Sequence, residues 1–248
     1  MHMRKKKWAQ PELDKCPWYS EFPEENRGSW QSRFPLPQPL HMEVGCGKGV
    51  STARMIAENR DINYIAMDIS SDVLGDARRN LVRAFREEEP RNVQLVKCDV
   101  SYISHFFAPE DQICRLYIHF CNPWPRPKHH KRRLTHPRQL LQYREFLAPG
   151  AEIWFKTDDD GLFADSLEYF AACGFECLEK TEDLHANLTH PNYVSEHEEK
   201  FSREGIPIKA AIFRMLPDYP DSPFLRKCLR QKEDEEAGNP GEDEEFNE

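Results

Sequence analysis

Apolar positions follow two alternating spacings from residue 40 onward. Short apolar runs typical of buried strands are followed by segments in which apolar residues recur every three or four positions, as in amphipathic helices. The predicted strands are 40–44, 62–69, 93–99, 113–120, 151–158, 175–184 and 206–215. The predicted helices are 51–59, 72–88, 136–148 and 162–174. Strands and helices therefore alternate over most of the chain.

This order of elements predicts an α/β fold built on a doubly wound, mainly parallel sheet of seven strands. Strands that alternate with helices are joined by crossovers and lie parallel. No clear crossover helix is predicted in the connection 185–205, so we expect the last strand to be antiparallel. The chain is expected to divide into a partly ordered N-terminal arm (1–38), a main domain (39–217) and a C-terminal extension (218–248) that ends in a disordered acidic tail.

Composition excludes several classes of protein. The sequence has no run of about 18 apolar residues, so no membrane span is predicted. The first residues, MHMRKKKW, are basic but lack the apolar segment of a secretory signal, and we expect a cytoplasmic protein. The eight cysteines form no Cys-x-x-Cys pair, so we expect reduced thiols and no bound metal.

Charge is sorted along the chain rather than spread evenly. The formal net charge is −9, but residues 231–248 carry nine acidic side chains and one lysine, so the first 230 residues sum to about −1. Between Asp111 and Glu145 there are eight arginines and lysines and no acidic residue. This stretch predicts an anionic partner such as a nucleic acid.

The first predicted strand ends in EVGCGKG, a turn with glycines at 45, 47 and 49. Glycine lets the backbone approach a ligand closely. Glu43, two residues before Gly45, would repel a pyrophosphate but suits the cationic methionine end of S-adenosylmethionine (SAM). On this motif alone, an ordinary glycine turn remains an alternative.

Two further acids end the next two predicted strands. Asp68 lies about 20 residues beyond the glycines, where an acid can accept the ribose hydroxyls of a nucleoside. Asp99 is placed to meet an adenine edge. A single aspartate at a strand end is more often a helix cap or turn former. Three acids at three successive strand ends form a more specific signal.

The fourth predicted strand ends in Asn122-Pro123-Trp124, and the basic stretch follows directly. Proline fixes the turn and aims the asparagine, while the tryptophan can stack on a base. The candidate phosphate-binding residues are Lys128, Lys131, Arg132 and Arg133. A solvated basic face and a simple Asn-Pro turn are the alternatives.

Taken together, these motifs resemble the bacterial tRNA (guanine-N7)-methyltransferase family, within the class I SAM-dependent methyltransferases. The resemblance covers residues 40–216 approximately. It rests on EVGCGKG, NYIAMDI, Asp99, FCNPWPRPKHHKRRLTHP, FKTDDDGLF, VSEHEEKF and GIPI. It implies a Rossmann-like fold, SAM as cofactor, tRNA as partner, and methylation of guanine N7 in the variable loop, at tRNA position 46.

The resemblance also implies roles for individual residues. The cofactor-binding residues would be Glu43, Gly45, Gly47, Asp68, Asp99 and Asn122. The substrate-binding residues would be Arg126, Asp158, Ser195, Glu196, His197 and Glu198. Asn122 would be shared with the guanine site as the catalytic residue. The resemblance does not decide between a monomer and a homodimer.

The sequence departs from the family at two motifs. The family often has Asp-Pro-Trp-Pro-Lys where this chain has Asn122 to Arg126, and Thr-Glu-Tyr-Glu where it has Ser195 to Glu198. An asparagine is a poor general base. Guanine N7, however, carries a lone pair and no proton, so methyl transfer to it needs no base. We therefore expect Asn122 to be compatible with activity.

Two other functions remain open at this point. One is a SAM-dependent enzyme that methylates amino groups of another nucleic acid, because related Asn-Pro-aromatic turns accept hydrogen bonds from the amino group being methylated. The other is a non-catalytic tRNA-binding protein that keeps the fold. The second would bind tRNA with a steep salt dependence and have no affinity for SAM.

Overall fold

The structure, a computed structural model, describes residues 5–86, 88–187 and 190–230. The strands are β1 Tyr19–Ser20, β2 Leu40–Val44, β3 Asn63–Asp68, β4 Val93–Lys97, β5 Ile113–His119, β6 Leu147–Thr157, β7 Phe175–Thr181 and β8 Lys209–Met215. The α-helices are α1 Ala9–Leu13, α2 Val50–Glu58, α3 Ser71–Ala84, α4 Pro137–Phe146, α5 Asp160–Ala172, α6 Glu196–Arg203 and α7 Pro223–Arg230. The predicted acidic tail lies outside the described residues.

All eight strands form one sheet, in the order β1-β4-β3-β2-β5-β6-β8-β7. The pairs from β1 to β6 are parallel. Strand β8 is antiparallel to both β6 and β7. The predicted doubly wound α/β fold with a reversed last strand is therefore confirmed.

Helices cover both faces of the sheet. Helices α2 and α3 pack over β2, β3 and β4 through apolar residues that include Ile56, Leu74 and Leu81. The opposite face carries the larger core, to which α4 and α5 contribute Tyr143 and Phe170. Because parallel strands all end at one edge, this arrangement brings the loops after β2 to β6 together.

The N-terminal segment contributes an eighth strand that the sequence pattern did not predict. β1 is only two residues long and pairs with β4, Tyr19 opposite Leu95. Farther along, the indole N–H of the fully buried Trp30 donates to the Phe106 carbonyl at 2.9 Å. Its ring stacks on Phe107 at 5.2 Å between centroids. The segment thus packs on the sheet through one short strand and one aromatic anchor.

The connection between β7 and β8 contains α6, and the expectation of a connection without a clear helix was wrong. The helix spans eight residues, and Ser195 caps it by accepting a hydrogen bond from the Glu198 N–H at 3.2 Å. Its acidic composition hides the apolar period on which a sequence prediction depends. The helix does not make β7 and β8 parallel; it lies across the carboxyl edge of the sheet.

Among the helices within the described ranges, none combines the length and apolar character needed to cross a membrane. The same residues contain no group of three or more His, Cys, Asp or Glu side chains that could hold a metal ion.

Candidate active site

A tight glycine turn (45–49) joins β2 to α2. Its three glycines have positive φ, at 76°, 57° and 64°. The N–H groups of Gly45 and Cys46 both donate to the Met67 carbonyl at 2.9 Å, which fastens the turn to β3. A Cβ at Gly49 would lie 2.9 Å from the Ala77 methyl, whereas a Cβ at Gly47 would meet nothing within 4 Å. Gly49 therefore serves packing, and Gly47 faces open space that a ligand can enter.

Glu43 is buried beneath this turn. Thr52 of α2 donates its hydroxyl to Glu43 Oε2 at 2.6 Å, and His119 Nδ1 lies 3.4 Å from Oε1. Burial opposes ionisation, but the hydrogen bonds from His119 and Thr52 and the charge of Lys156 outweigh it, so the pKa of Glu43 lies below its ordinary value. Burial, aided by Lys156, also lowers the pKa of His119.

Asp68 and Asp99 lie at the ends of the next two strands. Asp68 accepts from the Gly47 N–H at 3.2 Å and the Ser70 N–H at 2.9 Å. Burial raises its pKa despite these bonds. Asp99 is exposed and caps the following 3-10 helix by accepting from the Ser101 N–H at 2.9 Å. The cap that the sequence offered as an alternative is present, and it uses only Oδ1.

We call Glu43, the glycine turn, Asp68 and Asp99 together the cofactor edge. The structure brings these residues to consecutive strand ends. The hydrogen bond from Gly47 to Asp68 links two of them directly.

The Asn122-Pro123-Trp124 turn follows β5. Asn122 is exposed, and its Oδ1 accepts from the Trp124 N–H at 3.0 Å. Trp124 has a φ of 42°, a strained value for a bulky residue. Its ring meets His129 edge to face at 5.8 Å, and the Arg132 guanidinium lies 5.3 Å from the ring centre. The asparagine thus holds the turn while the basic stretch supports the indole.

The basic residues of 126–133 point in different directions. Arg126 and Lys128 are exposed beside the turn. Arg133 is 3% exposed and faces inward. Its guanidinium donates to the Pro123 carbonyl at 2.7 Å and to Asp165 at 2.5 Å. Arg133 therefore ties the turn to α5 and does not present its charge to solvent.

The four residues 195–198 also divide by environment. Glu196 is half exposed, and its carboxylate accepts from Lys48 of the glycine turn at 3.0 Å. The His197 ring stacks with that of Phe120, with 6.2 Å between centroids and 18° between planes. Glu198 is fully buried and accepts from Lys156 Nζ at 3.0 Å. Helix α6 thus contacts the glycine turn, the residue that follows β5, and β6.

Asp158 follows β6 on the same edge and is partly buried. Its backbone carbonyl accepts from Lys209 Nζ at 3.0 Å. Within the described ranges its carboxylate has no ion-pair partner. This carboxylate therefore follows β6, the strand beside β5, which leads to Asn122.

Sequence reasoning missed Thr52, His119 and Lys156. They surround Glu43 and Glu198 and line one cavity of about 180 Å³ between the sheet and the segment before α6. Side chains with a polar group occur at alternate positions of β5 and β6 and so share one face of the sheet. They are Arg115, Tyr117 and His119 in β5 and Trp154 and Lys156 in β6. That alternation was the available signal, because buried parallel strands are usually apolar on both faces.

Comparison with known proteins places the chain in a family. Residues 37–211 match the family described as "Putative methyltransferase". A tRNA (guanine-N(7)-)-methyltransferase of Clostridium perfringens (strain SM101 / Type A) is 48% identical over 87% of this chain and 100% of its own length. The enzyme of that name from Clostridium beijerinckii is 49% identical over 86% of this chain and 98% of its own.

Solved structures support the fold. The 16S rRNA methyltransferase KamB matches with a TM-score of 0.53 at 12% identity, over 87% of this chain and 96% of its own. The aminoglycoside resistance methyltransferase NpmB1 matches with a TM-score of 0.51 at 14% identity, over 77% and 98%. The match to the family model and the near-50% identity across whole relatives show that the chain belongs to the tRNA (guanine-N(7)-)-methyltransferase family.

Proposed function

We propose that this enzyme transfers the methyl group of SAM to N7 of a guanosine in the variable loop of tRNA, at tRNA position 46. The observation that carries the proposal is the convergence of three acids, an Asn-Pro-Trp turn and exposed basic residues at one sheet edge. The names of the curated relatives support the same reaction. The position within tRNA rests on the family resemblance.

The cofactor edge has the chemistry that SAM requires. Gly47 leaves room for a ligand, and the ionised Glu43 suits the cationic methionine end. Asp68 is an acid at the strand end where ribose hydroxyls are accepted in related folds. Asp99 retains Oδ2 for the nucleoside. When bound, SAM supplies an electrophilic methyl group.

The protein's contribution to methyl transfer is alignment and electrostatics. Guanine N7 needs no deprotonation, so no residue has to act as a general base. The guanine ring gains positive charge as N7 is methylated, and nearby carboxylates stabilise that charge. Asp158 and Glu196 are acids at this end of the sheet that can do so. Asn122 keeps the turn in place and can still accept a hydrogen bond from the base through its second lone pair.

The exposed basic residues provide contacts for the tRNA backbone. We assign this role to the exposed Arg126, Lys128 and Arg132 and to the partly exposed Lys131. Arg133 supports the turn from inside, and its effect on RNA binding is indirect. The methylated guanosine has to leave its stack in the folded tRNA to reach the site. Since the substrate is tRNA, we also propose a cytoplasmic location.

The test is to incubate the purified protein with SAM and tRNA lacking 7-methylguanosine, and to identify the modified nucleoside by mass spectrometry. We expect 7-methylguanosine. A methylated exocyclic amino group would indicate the alternative amino-methyltransferase. Salt-sensitive tRNA binding without SAM affinity would indicate a non-catalytic RNA-binding protein.

A further inference from the structure

Lys156 of β6 is a buried cation that contacts the segment leading into α6. Its side chain is 9% exposed. The ammonium donates to Glu198 Oε2 at 3.0 Å and to Asn192 Oδ1 at 2.8 Å, and the Tyr193 carbonyl lies at 3.5 Å. All three partners belong to the connection between β7 and β8. Lys156 therefore holds that connection to the sheet.

The Glu198 carboxylate, which pairs with Lys156, also contacts side chains of its own segment. Glu198 is fully buried, and its Oε1 accepts from the Asn192 amide and lies 3.2 Å from His185 Nε2. Its backbone N–H donates to Ser195 Oγ. The side chains that form hydrogen bonds or ion pairs with this carboxylate in the described ranges come from 185–195 and from Lys156. Lys156 is thus the sheet's contribution to the cluster.

The same lysine also acts on the cofactor edge. Burial is the main influence on both Glu43 and His119, and the charge of Lys156 contributes to the lowered pKa of each. Its backbone carbonyl accepts from the Phe120 N–H at 2.9 Å. Phe120 carries the ring on which His197 stacks. Lys156 therefore lies between the groups expected to meet the cofactor and those expected to meet the base.

We propose that Lys156 is a positioning residue that fixes α6 against the cofactor edge and thereby places Glu196 and His197 beside the target guanine. The inference rests on the proposed function for its substrate. If the lysine loses its charge, Glu198 stays buried without a cationic partner from the sheet, and the connection loosens. A displacement of about 1 Å at a reacting site can cost about 10²-fold in rate.

The experiment compares Lys156→Met, which keeps the volume and removes the charge, with Lys156→Arg, which keeps the charge. Lys200→Met is the matched control, because it removes a 64% exposed cation from α6 itself. Three quantities are measured for each variant at a temperature where circular dichroism shows it folded. They are amide hydrogen exchange over 196–203 without tRNA, the Kd for SAM by calorimetry, and kcat and KM with tRNA.

For Lys156→Met we expect faster exchange in α6, a Kd for SAM within about threefold of wild type, and a fall in kcat of at least about tenfold. Lys156→Arg should restore the protection and most of kcat, and Lys200→Met should change neither. A purely structural lysine would lower the Tm and leave kcat of the folded protein unchanged. That result, or unchanged α6 exchange, would overturn the proposal.

Glu198→Gln provides a second route if Lys156→Met does not fold. It keeps the side-chain volume and removes the charge from the other partner. Faster amide hydrogen exchange in α6 with unchanged SAM affinity supports the proposal. Exchange in α6 as slow as in the wild type contradicts it. Exchange and SAM affinity do not depend on which nucleoside is methylated. A wild-type protein that fails to produce 7-methylguanosine would therefore refute the proposed function and leave the exchange result readable.

Discussion

The side-chain oxygen of Asn122 accepts a hydrogen bond from the backbone N–H of Trp124 at 3.0 Å. This bond closes the turn that presents Trp124 with its strained positive φ. The bond gives Asn122 a structural role that requires a hydrogen-bond acceptor and no ionisable group. An aspartate at 122 could accept the same bond.

This contact predicts the ranking of two substitutions at position 122. Asn122→Asp keeps the acceptor for the Trp124 N–H, whereas Asn122→Ala removes it and frees a strained residue. We expect Asn122→Ala to lower kcat/KM for tRNA about tenfold or more, and Asn122→Asp to cost less. Steady-state methyl incorporation with both variants measures this. An alanine variant faster than the aspartate variant would refute the assigned role.

The basic stretch predicts two separable effects. Arg126→Ala and Lys128→Ala each remove an exposed charge, so the slope of log K for tRNA against log salt should decrease by about 1 per variant with unfolding unchanged. Arg133→Met should lower the free energy of unfolding by about 2–3 kcal/mol, because Asp165 and the Pro123 carbonyl lose a buried donor. Salt-dependent binding and urea unfolding of all three variants test this. A larger slope change for Arg133→Met than for Arg126→Ala would contradict it.

His136 predicts a pH dependence of stability. It is 2% exposed and caps α4 by accepting from the Arg138 N–H at 3.2 Å. Burial, with the charge of Arg138, lowers its pKa from 6.5 to about 4. The unfolded chain therefore binds more protons between those values, so this stability is complete above pH 6.5 and is lost as pH falls towards 4. The slope is at most about 1.4 kcal/mol per pH unit.

His136→Asn separates titration from capping, since asparagine caps a helix and does not titrate. Urea unfolding from pH 4.5 to 7 should show a shallower slope for this variant than for wild type. His105→Asn, at an exposed position, is the control and should keep the wild-type slope. An unchanged slope in His136→Asn would show that His136 does not govern acid stability.

Trp30 predicts that the N-terminal segment is part of the stable fold. The indole is fully buried, and the Trp30 backbone N–H donates to Asp111 at 3.1 Å. Trp30→Ala should lower the free energy of unfolding by about 3–5 kcal/mol. Phe22→Ala, which removes a ring that is 56% exposed, should change it by no more than about 0.5 kcal/mol. Equal effects for the two would mean that the segment folds independently.

The parts of the fold that sequence could predict are those with a long apolar period. The core strands and α2 to α5 have such a period, and their observed bounds differ from the predicted ones only at the ends. The helix predicted over 72–88, for example, ends at Ala84, and Phe85 is its C-cap residue. β1 is too short for any period, and α6 is too acidic. Each is held by a residue distant in sequence: β1 pairs with Leu95, and α6 contacts Lys156 through Glu198.

The candidate site divides in the same way. The position of Glu43, Asp68, Asp99 and Asn122 at one edge was predictable because strand ends in a parallel sheet share one edge. Burial within a motif was not predictable. Arg132 and Arg133 are neighbours in one basic run, yet Arg133 turns inward to Asp165. Such differences depend on the partner side chain, which sequence spacing does not specify.

The most direct test of the account is to locate the methyl group in the product. Two transcripts of one tRNA, with guanosine or adenosine at position 46, are incubated with the protein and SAM, and 7-methylguanosine is mapped by borohydride and aniline cleavage. We predict cleavage at position 46 of the guanosine transcript and none in its adenosine counterpart. Equal methylation of both transcripts, or a methyl group on an exocyclic amine, would contradict the account.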